Sequence, residues 1–167
     1  GQFSNYLKNQ ISISYNDIPG YPSSTVAGHK GELVCGRLDN NEIIIANGRF
    51  HYYEGYSFQQ VTIPINLFKK LGIDHLIITN SSGSMNKNFS PGSLMVVKGH
   101  MDCTYRNSPN PPVIYSGPPY HDPGLIDLAF SAAKENDIEL KSGNYCWTLG
   151  PSYETPAEIK DMINLGG

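Results

Sequence analysis

No apolar run in this sequence approaches the ~18 residues that a membrane-spanning helix needs, and Gly1-Gln-Phe-Ser4 has neither the basic nor the apolar region of a secretory leader. Both absences point to a cytosolic protein with no membrane partner. Lysine and arginine form no block: the 12 basic residues face 15 carboxylates, and the net charge is −3 with a pI near 5.9. The chain therefore lacks the basic surface that nucleic acid or an anionic bilayer requires, and any bound anion must be met by local groups. Cysteine is scarce. Cys35, Cys103 and Cys146 are odd in number and show no CxxC spacing, which suggests neither a disulfide framework nor a metal centre; they read as small apolar packing residues. Internal repeats and low-complexity tracts are missing as well.

With 167 residues, 39% hydrophobic and 16% charged, the chain can bury one real core, and a single domain over residues 1–167 is the expectation. Strand patterns alternate with helical ones, the order of an α/β domain with a mixed central sheet flanked by helices. Phe3 to Leu7 reads as a short helix and Ile18 to Pro22 as a rigid turn. Residues 32–38 and 42–47 pair as a hairpin across Asp39, Asn40 and Asn41. Phe58, Val61, Ile65 and Phe68 have helical spacing up to the stop at Gly72, with Pro64 expected to kink or break the helix. His75 to Thr79 reads as a second buried strand, leading into the small hydroxyl-rich stretch Asn80-Ser-Ser-Gly-Ser84, and Pro91 to Val97 as a third. Residues 101–120 form a Pro-rich loop without periodicity, Leu125 to Asn136 an amphipathic helix and Asn144 to Leu149 a strand. A loop from Gly150 to Glu154 then leads to a helix capped by Thr155, with Pro156 first and Glu158 third. After that helix the pair Gly166-Gly167 would be followed by a further strand.

Asn47-Gly-Arg-Phe-His-Tyr-Tyr-Glu-Gly55 carries the chemistry. It places a permanent cation, an imidazole, a phenol and a carboxylate just after the apolar run Glu42 to Ala46, at the carboxyl end of a strand, where open α/β sheets hold their ligands. Arg49 offers a planar fork for two oxyanion oxygens, His51 can donate a hydrogen bond, and Ser81, Ser82 and nearby amides can meet further oxygens. Glu54 reads as structural, pairing with a nearby cation, and Glu158 as a capping residue.

Four ordered stretches, Ser24 to His29, Gly48 to Tyr56, Thr79 to Gly83 and Gly150 to Glu158, resemble the trimeric purine nucleoside phosphorylases, of which the chain spans the middle portion. The resemblance implies the α/β fold of that family and phosphorolysis of a purine nucleoside to the free base and ribose 1-phosphate. It implies inorganic phosphate as co-substrate, no further cofactor, no metal, and a homotrimer. Arg49, His51, Asn80 and Ser81 would then line the phosphate site, and Tyr53 and His29 would lie by the ribose. Tyr153 would stack on the purine and Glu154 would bind it, with His51 and Glu154 as the catalytic pair. A carboxylate at 154 accepts from N1–H of a 6-oxopurine, and adenine has no such hydrogen.

The chain departs from the family pattern in several places. Gly1 stands where the family's glycine-rich phosphate loop ends, so that loop's serine has no counterpart here. The methionine, serine, asparagine and histidine that the family carries further on likewise have no counterpart in this sequence. Ser81-Ser82-Gly83-Ser84 replaces two alanines and two glycines, Gly99 precedes His100 where the family has an acidic residue, and residues 101–124 are about ten residues short and lack the aromatic that reaches a neighbouring subunit. Two other readings stay open: a methylthioadenosine-cleaving or nucleoside-hydrolysing relative, and a catalytically silent fragment that binds phosphate, purine or another chain.

Overall fold

The computed structural model describes residues 3–23 and 30–167. Gly1, His29 and the rest of the stretch from Ser24 lie outside the described residues. The chain divides into two compact units, residues 1–78 and 79–167. No helix among the described residues is long and apolar enough to cross a membrane.

The first unit is an antiparallel sheet of β1 (Lys8–Ser14), β2 (Glu32–Leu38) and β3 (Asn41–Asn47), in that order. The expected hairpin is present, with Leu38 opposite Asn41 and Asp39 at a φ of 51°, a conformation that aspartate tolerates in tight turns. β1 has a weaker sequence signal. Its Ile11 and Ile13 alternate with polar residues but are both exposed, so the strand adds an edge rather than a core face. The short helix at Phe3–Tyr6 and the turn at Ile18 form as read, the latter closed by the Tyr21 amide donating to Ile18 O at 3.1 Å.

The helical stretch breaks where Pro64 requires it. α1 (Phe58–Val61) ends at Thr62, and α2 (Ile63–Lys70) starts with Pro64 in its first two positions, where a missing N–H costs nothing. Ser57 and Gln60 form a capping box on α1. Tyr15, Leu33, Phe50 and Phe68 make the core of this unit, with Tyr21, Ile44, Val61 and Leu67 packed around them. Tyr15, Tyr21 and Phe50 meet at ring separations of 4.7 and 5.5 Å, the tilted geometries that aromatic quadrupoles favour.

The expected strand from His75 to Thr79 does not form. Residues 73–80 are irregular, and Leu76, Ile77 and Ile78 are 40%, 79% and 68% exposed. An apolar β-branched run becomes a buried strand only when neighbouring strands take up its backbone groups, and this run belongs to neither ladder of the described sheets.

The second unit is a mixed sheet in the order β5-β4-β6, and it gives the α/β class expected from the alternation of elements. β4 (Leu94–Asp102) runs parallel to β6 (Leu140–Trp147) and antiparallel to the two-residue β5 (Tyr115–Ser116). β4 starts later than Pro91 because Pro91 and Gly92 are used in a turn, closed by the Ser93 amide on Ser90 O. It also runs on to Asp102, so the expected loop is shorter than read and contains β5. α3 (Pro123–Glu135) packs on β4, capped by Asp122 and burying Ala133, with Phe130 and Ile126 half-covered one and two turns earlier. His100 Nδ1 and His121 Nε2, 3.0 Å apart, tie β4 to the chain just before α3. Gly99 has a local reason: a Cβ there would lie 2.5 Å from Asn144 Oδ1 and 2.7 Å from Ile114 Cγ2, so the acidic residue of the family pattern would require both side chains to shift. α4 (Pro156–Asn164) begins as read, with Thr155 and Glu158 forming a reciprocal capping box.

Candidate functional site

β3 delivers its polar residues through an anchored backbone. Asn47 is buried and its Nδ2 donates to Ser4 Oγ at 3.0 Å and Glu32 Oε1 at 3.1 Å. Gly48 follows at a φ of 136°, which a side chain would resist, and its carbonyl accepts from Tyr15 Oη at 2.9 Å. Phe50 then enters the core, so Arg49 and His51 flank a buried ring and are themselves half-buried. Burial raises the Tyr15 phenol well above its ordinary value and Tyr21 to about 12, so both stay neutral.

His51 is held on two sides. Its ring stacks on Tyr53 at 4.7 Å with a 15° tilt, and its Nδ1 lies 2.7 Å from Glu54 Oε1. The same oxygen accepts from the His51 amide at 2.7 Å, and the Glu54 side chain is only 3% exposed. Glu54 has a structural role, its carboxylate tied to both the amide and the ring of His51. Tyr53 is 42% exposed, so one face of the His51–Tyr53 pair can meet a ligand.

In the second unit, Asn80 and Ser81 are exposed and irregular, with Asn80 Nδ2 3.4 Å from Ser81 O; Asn80 does not end a buried strand. Glu154 is better placed. A cleft of about 280 Å³ opens beyond the carboxyl ends of β4 and β6, lined by Cys103, Tyr105, Thr148, Tyr153, Glu154 and Glu158 among others. Parallel strands direct ligands to this end. Glu154 is half-buried and accepts from Thr148 Oγ1 at 2.6 Å, while Tyr153 is 97% exposed.

Glu158 also faces the cleft, but its Oε2 takes the Thr155 amide and hydroxyl at 2.7 Å each, which holds its carboxyl below the ordinary range. The three cysteines are free and half-buried rather than fully buried. Burial, reinforced by neighbouring Cys146, pushes the Cys103 thiol up to about 12. Thr148 is a cleft residue that sequence reasoning passed over. Its signal was a hydroxyl near the end of the strand read at 144–149, six residues ahead of Glu154.

The family model described as the phosphorylase superfamily matches residues 1–167. The chain belongs to the phosphorylase superfamily. Within it, the chain is 39% identical to purine nucleoside phosphorylase 1 of Geobacillus stearothermophilus over 100% of its own length and 64% of that protein. It superposes on the purine nucleoside phosphorylase of Schistosoma mansoni in complex with inosine at a TM-score of 0.87 and 33% identity, covering 99% of this chain and 63% of that one. A purine nucleoside phosphorylase in complex with ribose-1-phosphate gives a TM-score of 0.87 and 32% identity, with 99% of this chain and 66% of that one covered. The family likeness read from the sequence is borne out, and this phosphorylase-superfamily chain spans about 64% of the length of the Geobacillus stearothermophilus relative.

Proposed function

We propose that the protein containing this chain cleaves purine nucleosides with phosphate, releasing the free base and ribose 1-phosphate. The observation that carries this reading is the likeness, over 99% of the chain, to a phosphorylase holding inosine. In the reaction a phosphate oxygen bonds to C1′ as the C1′–N9 bond breaks, the bonding pair leaves with the purine, and the purine takes up a proton. This balances with phosphate as co-substrate and needs no redox carrier.

The residues fit the charges that develop. Arg49 and His51 meet phosphate, with Asn80 and Ser81 as further donors; Tyr53 and His29 belong to the ribose. Tyr153 offers an exposed ring for stacking, and Glu154 accepts from N1–H of a 6-oxopurine, which orients the base in the cleft. A homotrimer and a cytosolic location are part of the same proposal, and sedimentation of the full-length protein tests the trimer.

The test of function is inosine turnover by the full-length protein with and without phosphate or arsenate. Hypoxanthine release that depends on the anion is expected. Equal turnover in phosphate-free buffer would assign hydrolysis instead.

A further inference from the structure

The loop from Leu149 to Glu154 is exposed over most of its length, yet Glu154 within it is half-buried. Two anchors account for this. On one side Thr155 is fixed by its reciprocal capping box with Glu158. On the other, Thr148 Oγ1 reaches Glu154 Oε1 at 2.6 Å, within the range of a charge-assisted O–H···O⁻ bond.

Thr148 is itself well held. It follows Trp147, the last residue of β6, which pairs in register with Asp102 and whose carbonyl accepts from the Cys103 amide at 2.9 Å. A β-branched side chain has few rotamers, so the ladder fixes where its hydroxyl sits. Of the two carboxylates facing the cleft, Glu158 spends an oxygen on two bonds from Thr155. Glu154 engages Oε1 with Thr148, and Oε2 takes no part in that bond.

We propose that Thr148 is a specificity-determining positioning residue, which holds the Glu154 carboxylate in one orientation so that the cleft accepts a 6-oxopurine and rejects a 6-aminopurine. Thr148 has this role only if Glu154 meets the base, the reading given above. The physical reason is rigidity. A 6-oxopurine brings N1–H to the carboxylate, whereas adenine brings a lone pair, and a carboxylate free to rotate could turn away from it. A carboxylate pinned through Oε1 cannot, so the mismatch is felt in full.

The experiment compares Thr148→Val, Thr148→Ala, Thr148→Ser and Glu154→Gln in the full-length protein. Two readouts are taken: kcat/KM for inosine and adenosine, and calorimetric binding of free hypoxanthine and adenine, which needs no turnover. Losing the hydroxyl in Val or Ala should lower the preference for hypoxanthine and inosine about tenfold, chiefly by relieving the penalty on adenine and adenosine. The phosphate KM should stay unchanged, and Ser should remain within about twofold of the parent. A merely structural Thr148 would weaken both bases alike and would not be rescued by Ser. An unchanged preference in Val and Ala, with Glu154→Gln still abolishing it, overturns the role of Thr148 alone. If Glu154→Gln leaves the preference intact, or the parent binds neither base, the base-recognition reading fails and this role falls with it.

Discussion

The Glu54 carboxylate accepts through one oxygen from both the backbone amide and Nδ1 of His51, each at 2.7 Å. A carboxylate can only accept, so Nδ1 carries the proton and the ring tautomer is set. In the neutral ring Nε2 then bears a lone pair, and only the imidazolium presents an N–H there. A phosphate oxygen at Nε2 would call for the charged ring, whose Nδ1 side faces Glu54.

Replacing Glu54 with Gln keeps the shape but removes the negative charge. The phosphate KM should rise about tenfold while hypoxanthine binding is unchanged, since a hydrogen bond to a charged group contributes ~1.5 to 3 kcal/mol. Initial rates across a phosphate series check this. Nitrogen-15 spectra of the parent should place the proton of His51 on Nδ1, and a proton found only on Nε2 would refute the tautomer.

Arg49→Ala should raise the phosphate KM and depress turnover by about ten- to a hundredfold through loss of a charge-assisted contact. A phosphate response like that of the parent would make Arg49 structural.

Cys103, with its thiol pushed up to about 12 by burial, should resist alkylation. At mildly alkaline pH only on the order of one thiol in ten thousand is thiolate, the reactive form. Peptide mass mapping after brief iodoacetamide treatment should show Cys103 labelled at least ~100-fold more slowly in the native protein than in denaturant. Rapid native labelling would mean that burial does not hold the proton on.

Glu32 gives a pH dependence of stability. Hydrogen bonds from Ser12 and then Asn47, aided by Lys30, hold its carboxyl below the ordinary range. A depressed folded-state value means that the stabilisation is present above the unfolded value and disappears as pH falls through the folded one. Melting curves of the parent and Glu32→Gln should therefore differ near neutral pH and converge in acid. A gap that widens on acidification would reverse the assigned sign.

Local signals in the sequence were read well where they act over a few residues. The Thr155–Glu158 capping box, the break before Pro64 and the turn at Asp39 depend on neighbouring atoms and formed as expected. His75 to Thr79 failed because a strand is a property of its neighbours, and apolar β-branched residues alone do not supply them. The site divides the same way. The grouping of His51, Tyr53 and Glu54 follows from adjacency, so the structural role of Glu54 was legible. Thr148 became visible only when β6 ended beside the Glu154 loop, a relation that neither residue type announces. His29 lies outside the described residues, and its ribose role stays a proposal.

Phe50, between Arg49 and His51, has its ring in the core with Tyr15 and Leu33. That placement divides the tolerance of this stretch to change. Position 51 is tied to the nearly buried Glu54 carboxylate, so an exchange there must also give that carboxylate a new partner. Position 50 is different: trimming its ring would loosen both neighbours at once, and in a mutational scan it would score as a binding defect from a residue that never meets the substrate.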